Sequence, residues 1–289
     1  MTATTSTTAV GVIGPGRAGT GWALAWVRAG HDVRLHGRRA KPVPAPLTLT
    51  TGPADAPPPW IDRVQVIVFA VPDDAIAPLA RTVSASGVVR AHHVVLHLSG
   101  SLDKSALAAL QGSGAALGSL HPLQTLVEPE RAPDHLRGAW AAVEGDPRAV
   151  ETAERLATDI GLHPFRLRAE HKTLYHAGAV FASNYFVVVE AIAQQLFERV
   201  GLEQHDAWAA LAPLVRGTFE NLTRSGPAEA LTGPVVRGDV ATLERHLAAL
   251  PDAERALYRH LGRAVLELAR RGGLDAAAIA RLERTLATG

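Results

Sequence analysis

Three glycines near the N-terminus constrain the fold of this chain more than any other residues do. They lie in Ala9-Val-Gly-Val-Ile-Gly-Pro-Gly-Arg-Ala-Gly-Thr-Gly21, where an apolar strand candidate, Ala9 to Ile13, runs directly into G-x-G-x-x-G. The motif comprises Gly14, Pro15, Gly16, Arg17, Ala18 and Gly19, and a helix-like stretch from Arg17 to Ala29 follows. In a dinucleotide site Gly14 allows the tight turn, Gly16 lets backbone N–H groups approach a pyrophosphate, and Gly19 lets helix and strand pack closely. The phosphates then sit at a helix N-terminus, where unpaired N–H groups and the dipole favour anions. The competing reading is a structural glycine turn, since the chain has 26 glycines. A strand before, a helix after and a second strand about 20 residues on favour the nucleotide site.

That second strand reads His31-Asp-Val-Arg-Leu-His36 and ends at Gly37-Arg38-Arg39. NAD sites place Asp or Glu at this end to bind the ribose 2′-OH. Here Arg38 and Arg39 stand there, suited to a 2′-phosphate through charge-assisted bonds. The alternative is a solvated basic turn. NADP(H) is therefore expected over NAD(H).

The length of 289 residues allows two domains. Net charge is +1, which gives no electrostatic case for nucleic acid or an anionic membrane surface. The chain has no cysteine, which excludes disulfides, thiolate nucleophiles and Cys-ligated zinc. No metal site is expected, and a cytoplasmic location fits. The polar start, Met1-Thr-Ala-Thr-Thr-Ser-Thr-Thr8, has neither the basic nor the apolar region of a signal peptide and is expected to fray. Ala177 to Phe197 is the most apolar long stretch. Asn184, Glu190, Gln194 and Gln195 interrupt it, so it reads as a buried core helix rather than a membrane span.

Strand-like and helix-like segments alternate in the first half, as in a parallel sheet with crossover helices. Residues 40–60 are rich in proline, which blocks helix interiors, so an extended loop or shrunken crossover is expected there. Val64 to Pro72, Val94 to Ser99, Ala115 to Leu120, Trp140 to Glu144 and Phe165 to Arg168 read as further strands. From Glu170 onward helical spacing takes over. Asp252 and Asp275 are candidate N-caps and Gly272 a candidate C-terminal stop. The reading is a doubly wound α/β Rossmann domain, residues 1–168, followed by an all-α-helical domain, residues 169–289.

Such a pairing suggests a reductase. Ligands of open α/β sheets bind outside the carboxyl ends of strands. Val71 and Pro72 there are candidates to pack on a nicotinamide ring. Ser99 and Gly100 are candidates to bind its ribose or carboxamide, although Pro and Ser-Gly also simply end strands. His121 ends another strand. At about 100° per residue, Lys172, His176 and Ser183 fall within about 40° of one another, a polar stripe on an apolar helix. Reducing C=O requires a proton donor to oxygen, which a protonated Lys or His supplies. An exposed helix face is the bland alternative. Asn184, about 120° from Lys172, is as readily an internal hydrogen-bonding group as a ligand contact. In Leu231-Thr-Gly-Pro-Val-Val-Arg-Gly-Asp239, Thr232 and Arg237 suit a substrate carboxylate or a cofactor phosphate, and a capped inter-helix turn is the other reading. Phe181, Phe186, Val187, Val188 and Val189 exceed what one thin helical layer buries, so a homodimer through the helical domain is expected.

Together, Gly14 to Gly19, Ala70-Val-Pro-Asp73, His97-Leu-Ser-Gly100, Ser119-Leu-His-Pro-Leu-Gln-Thr125, Tyr175 to Tyr185 and Leu231 to Asp239 resemble the Rossmann-like proteins with a C-terminal DUF2520 domain. The resemblance spans nearly the whole chain. It implies kinship with the 6-phosphogluconate dehydrogenase-like NADP oxidoreductases, beside pyrroline-5-carboxylate reductase and ketopantoate reductase. In that wider group a helix-borne Lys with Asn four residues later serves catalysis. Lys172 matches the Lys, and His176 stands where the Asn would be. The expected function is NADPH-dependent reduction of a small 2-oxo acid, ketopantoate first, with Lys172 and His176 catalytic, His121, Ser183, Asn184 and Thr232 near substrate, and Arg237 anchoring its carboxylate. Imine reduction of the pyrroline-5-carboxylate kind and a non-catalytic NADP(H) sensor are the alternatives.

Overall fold

The computed structural model describes residues 7–271 and 273–287. Of the expected frayed start, Met1 to Thr8, the first six residues lie outside them, as does the expected helix stop at Gly272; at Thr8 the expectation is corrected, since Thr8 is buried and its N–H donates to His31 Nδ1 at 3.3 Å. Two compact units divide at Asn184 and Tyr185.

Among the described residues of the first unit, eight strands form one sheet. They are β1 (Ala9–Ile13), β2 (Asp32–Gly37), β3 (Leu49–Thr51), β4 (Val66–Phe69), β5 (Val94–His97), β6 (Ala116–Pro122), β7 (Trp140–Gly145) and β8 (His163–Arg166). Their order is β3-β2-β1-β4-β5-β6-β7-β8. Neighbours run parallel except for β6 and β7, which pair antiparallel. The β1–β4 boundary, where strand order reverses, is the position at which doubly wound sheets open a ligand crevice.

The central strands are apolar on both faces because both faces are covered. Val66 and Val68 of β4 join one core with Trp22 and Trp26 of helix α1 (Arg17–Arg28). Ile67 and Phe69 join the opposite core with Ile76 and Val83 of helix α2 (Asp73–Ala85). A short helix, α3 (Ala132–Leu136), and α4 (Pro147–Asp159) cover the first face further along. The indole N–H of Trp26 donates to the Leu156 carbonyl of α4 at 3.1 Å.

The proline-rich segment contains β3 and ends in a buried tryptophan. A Cβ on Gly11 of β1 would lie 2.0 Å from the Trp60 ring, so only glycine admits the indole there. The Trp60 indole N–H donates to Thr50 Oγ1 (2.9 Å), and that hydroxyl donates to the Leu35 carbonyl (3.1 Å). An aromatic anchor thus replaces the crossover helix that seven prolines exclude.

Beyond β8, a 3₁₀ turn (Ala169–His171) opens helix α5 (Lys172–Val180), and a π-helical turn (Phe181–Tyr185) follows. The first unit therefore extends past residue 168 and includes α5. The second unit holds α6 (Phe186–Arg199), α7 (Gln204–Ala230), α8 (Val240–Ala249), α9 (Asp252–Arg271) and α10 (Ala276–Ala287). Its core gathers Val235, Leu243, Leu266 and Leu282. Asp275 accepts from the Ala278 N–H at 3.0 Å as an N-cap, whereas Asp252 is the first residue of its helix rather than a cap. The expectation of a buried core helix over Ala177 to Phe197 is corrected. The run Ala169–Arg199 is long and apolar enough to cross a membrane by length and composition, and none of its apolar window is buried. Val187 is 64% exposed and Val188 51%.

Replacing a buried aromatic by Ala typically costs about 3–5 kcal/mol. Trp60→Ala is expected to lose that much in urea unfolding, with Trp60→Phe losing distinctly less because the ring still fills the space beside Gly11.

Candidate functional site

The turn after β1 is shaped by its glycines. Gly14 has φ +112°, and a Cβ there would meet the Ala70 carbonyl oxygen at 2.2 Å. A Cβ on Gly19 would meet the Gly14 carbonyl oxygen at 2.0 Å. Gly16, the N-cap of α1, faces open space. A glycine cradle at a helix N-terminus fits a dinucleotide pyrophosphate.

A cavity of about 970 Å³ opens at this turn. Gly14, Pro15 and Gly16 line it, as do Val71 and Pro72 at the end of β4. Arg38, Arg39 and Lys41 bring three cations to it beyond the end of β2. The proline-rich segment supplies one wall through Pro53 to Ala56 and Pro58, and α2 supplies another through Ala75, Pro78 and Leu79. Arg17 is exposed, and Ala18 is half-buried in the first turn of α1.

A second cluster lies at the carboxyl ends of β5 and β6. Lys172, the first residue of α5, is 1% exposed. Its ammonium donates to the Ser99 carbonyl (2.9 Å) and to Ser119 Oγ (2.7 Å). Antiparallel pairing places Ser119 opposite Glu144, and the Ser119 hydroxyl donates to Glu144 Oε2 at 3.2 Å. Glu144 also accepts from the Lys104 N–H at 2.9 Å. Burial lowers the Lys172 pKa to about 8, against the opposing pull of Glu144, Asp103 and Asp73. Burial likewise raises the pKa of Glu144, with Lys172 opposing.

Ser99 links this cluster to the cavity rim. Its hydroxyl donates to Asp73 Oδ2 (2.9 Å), as does that of Ser101 (2.8 Å), and Asp73 stands between Pro72 and Asp74, both cavity-lining. The Ser99 hydroxyl thus spends its proton within the protein. Its N–H donates to His97 Nδ1 (3.2 Å), so His97 carries its proton on Nε2 and donates it to the Asp103 carbonyl (3.0 Å). Burial, then the Lys172 charge, brings His97 down to about 4.

Three rings gather beside Gly100. A Cβ there would lie 2.5 Å from His176 Nδ1 and 2.8 Å from His121 Nε2, so glycine is required for both imidazoles to reach the backbone. His121 Nδ1 lies 2.9 Å from the Tyr175 hydroxyl, and His121 meets His176 edge to face at 5.6 Å between centroids. Burial, followed by the Lys172 charge, lowers His121 to about 4, while burial raises Tyr175 to about 12.

Lys172, His176, His121, Ser99 and Gly100 therefore come together. Lys172 is buried rather than part of an exposed stripe. Ser183 and Asn184 lie within the π-helical turn, where 100° per residue no longer holds, so the stripe does not carry through to Ser183. Thr232 and Arg237 are exposed in the second unit, on a turn whose Asp239 caps α8 by accepting from the Thr242 N–H (3.1 Å) and hydroxyl (2.7 Å). No site role was read from sequence for Ser119, Glu144, Asp73, Tyr175 or Lys41, although Asp73, Ser119 and Tyr175 lie in the motifs that carry the resemblance. A lone acid in the apolar strand Trp140 to Glu144 was the signal for Glu144, and a third cation after Arg38-Arg39 was the signal for Lys41. No group of three His, Asp or Glu side chains placed to hold a metal occurs among the described residues.

Comparison with known proteins places this architecture. An NADP oxidoreductase of Bacteroides fragilis, so assigned provisionally, shares the fold with a TM-score of 0.73 and 23% identity, over 90% of this chain and 98% of that one. Protein TM1727 from Thermotoga maritima gives 0.67 and 21% identity, over 91% and 99%. An imine reductase from Myxococcus stipitatus, solved in complex with NADP⁺, gives 0.58 and 18% identity, over 95% and 99%. These likenesses show a common fold. No curated protein matches significantly. The Rossmann-like domain model matches residues 3–122, and that of the domain of unknown function DUF2520 matches residues 139–265. The chain thus joins a Rossmann-like domain to a DUF2520 domain.

Proposed function

We propose that this chain is an NADP(H)-dependent oxidoreductase that reduces the carbonyl of a small 2-oxo acid, with 2-dehydropantoate (ketopantoate) the first substrate to test. The observation that carries this reading is the buried Lys172 ammonium at the carboxyl ends of β5 and β6. Burying a charge is costly. Perturbed titratable groups of this kind mark functional sites. The turn from Gly14 to Gly16, closed by the packing of Gly19, would hold the pyrophosphate, and Arg38, Arg39 and Lys41 would meet a 2′-phosphate. The fold is shared with an imine reductase solved with NADP⁺.

Bound NADPH supplies the hydride. Lys172 has three N–H donors and spends two on Ser99 and Ser119. We assign the third to a substrate oxygen, which takes the proton as the carbon takes the hydride, leaving a neutral amine. A pKa of about 8 suits a proton donor near neutral pH. The likeness to the imine reductase favours C=N reduction as a second reading. A panel of 2-oxo acids and cyclic imines, followed through NADPH absorbance, decides among these. Binding without oxidation would identify a sensor.

On cofactor choice, losing charge-assisted bonds to a phosphate costs about 1.5–3 kcal/mol, roughly tenfold to a hundredfold in affinity. NADPH is expected to bind tighter than NADH by that order. Arg38→Ala/Arg39→Ala should erase the difference, and equal wild-type affinities would remove the assignment.

Lys172→Met is expected to lower turnover by about 10²–10⁴ with NADPH affinity retained. The wild-type kcat/KM for reduction should fall as pH rises through about 8. Stability moves the other way. Because the folded pKa lies below the ordinary 10.5, the unfolded chain holds this proton more tightly between those values. The Lys172 penalty is thus full below pH 8 and relieved toward 10.5, so stability relative to Lys172→Met should rise across that window.

We also propose a homodimer through the second unit. Phe186, Val187 and Val188 of α6 and Trp208, Leu214 and Phe219 of α7 are exposed, and apolar surface of this extent marks an interface. Light scattering should give twice 30.5 kDa, and Val188→Asp should shift the mass toward the monomer.

A further inference from the structure

His176 Nδ1 is buried and has no hydrogen-bond partner. Leaving a buried polar atom unpaired is costly, so its surroundings matter. His121 Nε2 and this Nδ1 both abut Gly100, 2.8 and 2.5 Å from the position a Cβ would occupy. The opposite nitrogen of His121, Nδ1, lies 2.9 Å from the Tyr175 hydroxyl. Tyr175 and His176 are neighbours on α5, while His121 comes from β6.

We propose that Tyr175 orients His121, the Tyr175 hydroxyl donating to His121 Nδ1 and thereby fixing the Nε2–H tautomer, whose nitrogen lies against Gly100 beside the His176 ring. Burial supports the proton placement from both sides. Tyr175, pushed up to about 12, keeps its proton, and His121, lowered to about 4, remains a neutral ring with one N–H. Once Nδ1 of His121 accepts, the single ring proton sits on Nε2. The His121 Nε2–H is then left for a substrate acceptor such as a carbonyl or carboxylate oxygen. Gly100 is part of the device, because any side chain there would push the two imidazoles away from the backbone. Tyr175 acts through His121 and is a positioning residue. Orientation of a proton-transferring ring by a second and third group is a recurrent arrangement of catalytic sites. The substrate contact rests on the reductase reading, whereas the tautomer does not.

Ring ¹⁵N NMR of the full chain at about pH 8, where an ordinary histidine is neutral, tests the pair without turnover. Wild type should show His121 as the Nε2–H tautomer. Tyr175→Phe, which keeps the ring packed on Phe165 and removes only the hydroxyl, should turn His121 into a tautomer mixture. A wild-type Nδ1–H tautomer at His121 overturns the proposal, and so does an unchanged His121 in Tyr175→Phe. With a substrate found, Tyr175→Phe should lower kcat about three- to tenfold at unchanged NADPH affinity, because a competent state only fractionally populated scales the observed constant. The same substitution should be silent in a His121→Phe background, and an equal loss there overturns the orienting role. The Nε2–H tautomer at His121 without turnover of any oxo acid or imine would sink the reductase reading and leave the pair standing.

Discussion

One ammonium ties the end of the sheet together. Lys172 reaches from the start of α5 to the Ser99 carbonyl beyond β5 and the Ser119 hydroxyl on β6, so a single side chain pins a helix to two adjacent strands. Isolated charge is expensive to bury, and the surroundings answer that cost in part. Ser119 passes the interaction on to Glu144, whose position opposite Ser119 depends on the antiparallel turn of the sheet between β6 and β7. Ser99 passes it toward Asp73 at the head of α2. The neutral imidazoles of His97 and His121 follow from the same source, since burial and the nearby ammonium both disfavour a second positive charge.

Much of this was legible in the chain before any coordinates. The glycine turn, the two-faced apolar runs of β4 and β5 and the change to helical periodicity near residue 170 are local signals. Each element could be read from its own residues. Lys172 and His176 were legible as a pair because four residues make one helical turn. What could not be read is what distant segments do to one another. Ser119 and Glu144 are 25 residues apart and meet only because β6 and β7 run antiparallel, an orientation that alternation of strands and helices does not reveal. The polar stripe failed beyond Val180 for a different reason. A π-helical turn changes the angle per residue, and nothing in Phe181 to Tyr185 announces it. The apolar run of α6 shows the limit of composition. Hydrophobicity says that a face wants cover and is silent about whether the same unit supplies it.

The proline-rich segment carries a consequence for recognition. Prolines limit both their own backbone and that of the residue before each of them, and Trp60 fastens the end of the segment beneath β1. The wall that Pro53 to Pro58 contribute to the dinucleotide cavity is consequently a set surface rather than an adaptable one. A flexible loop tightens around whatever enters and loses conformational freedom each time. A wall already stiff in the empty protein has little freedom left to lose, so it selects by shape: a ligand that fits meets a surface waiting for it, and one that does not finds no accommodation.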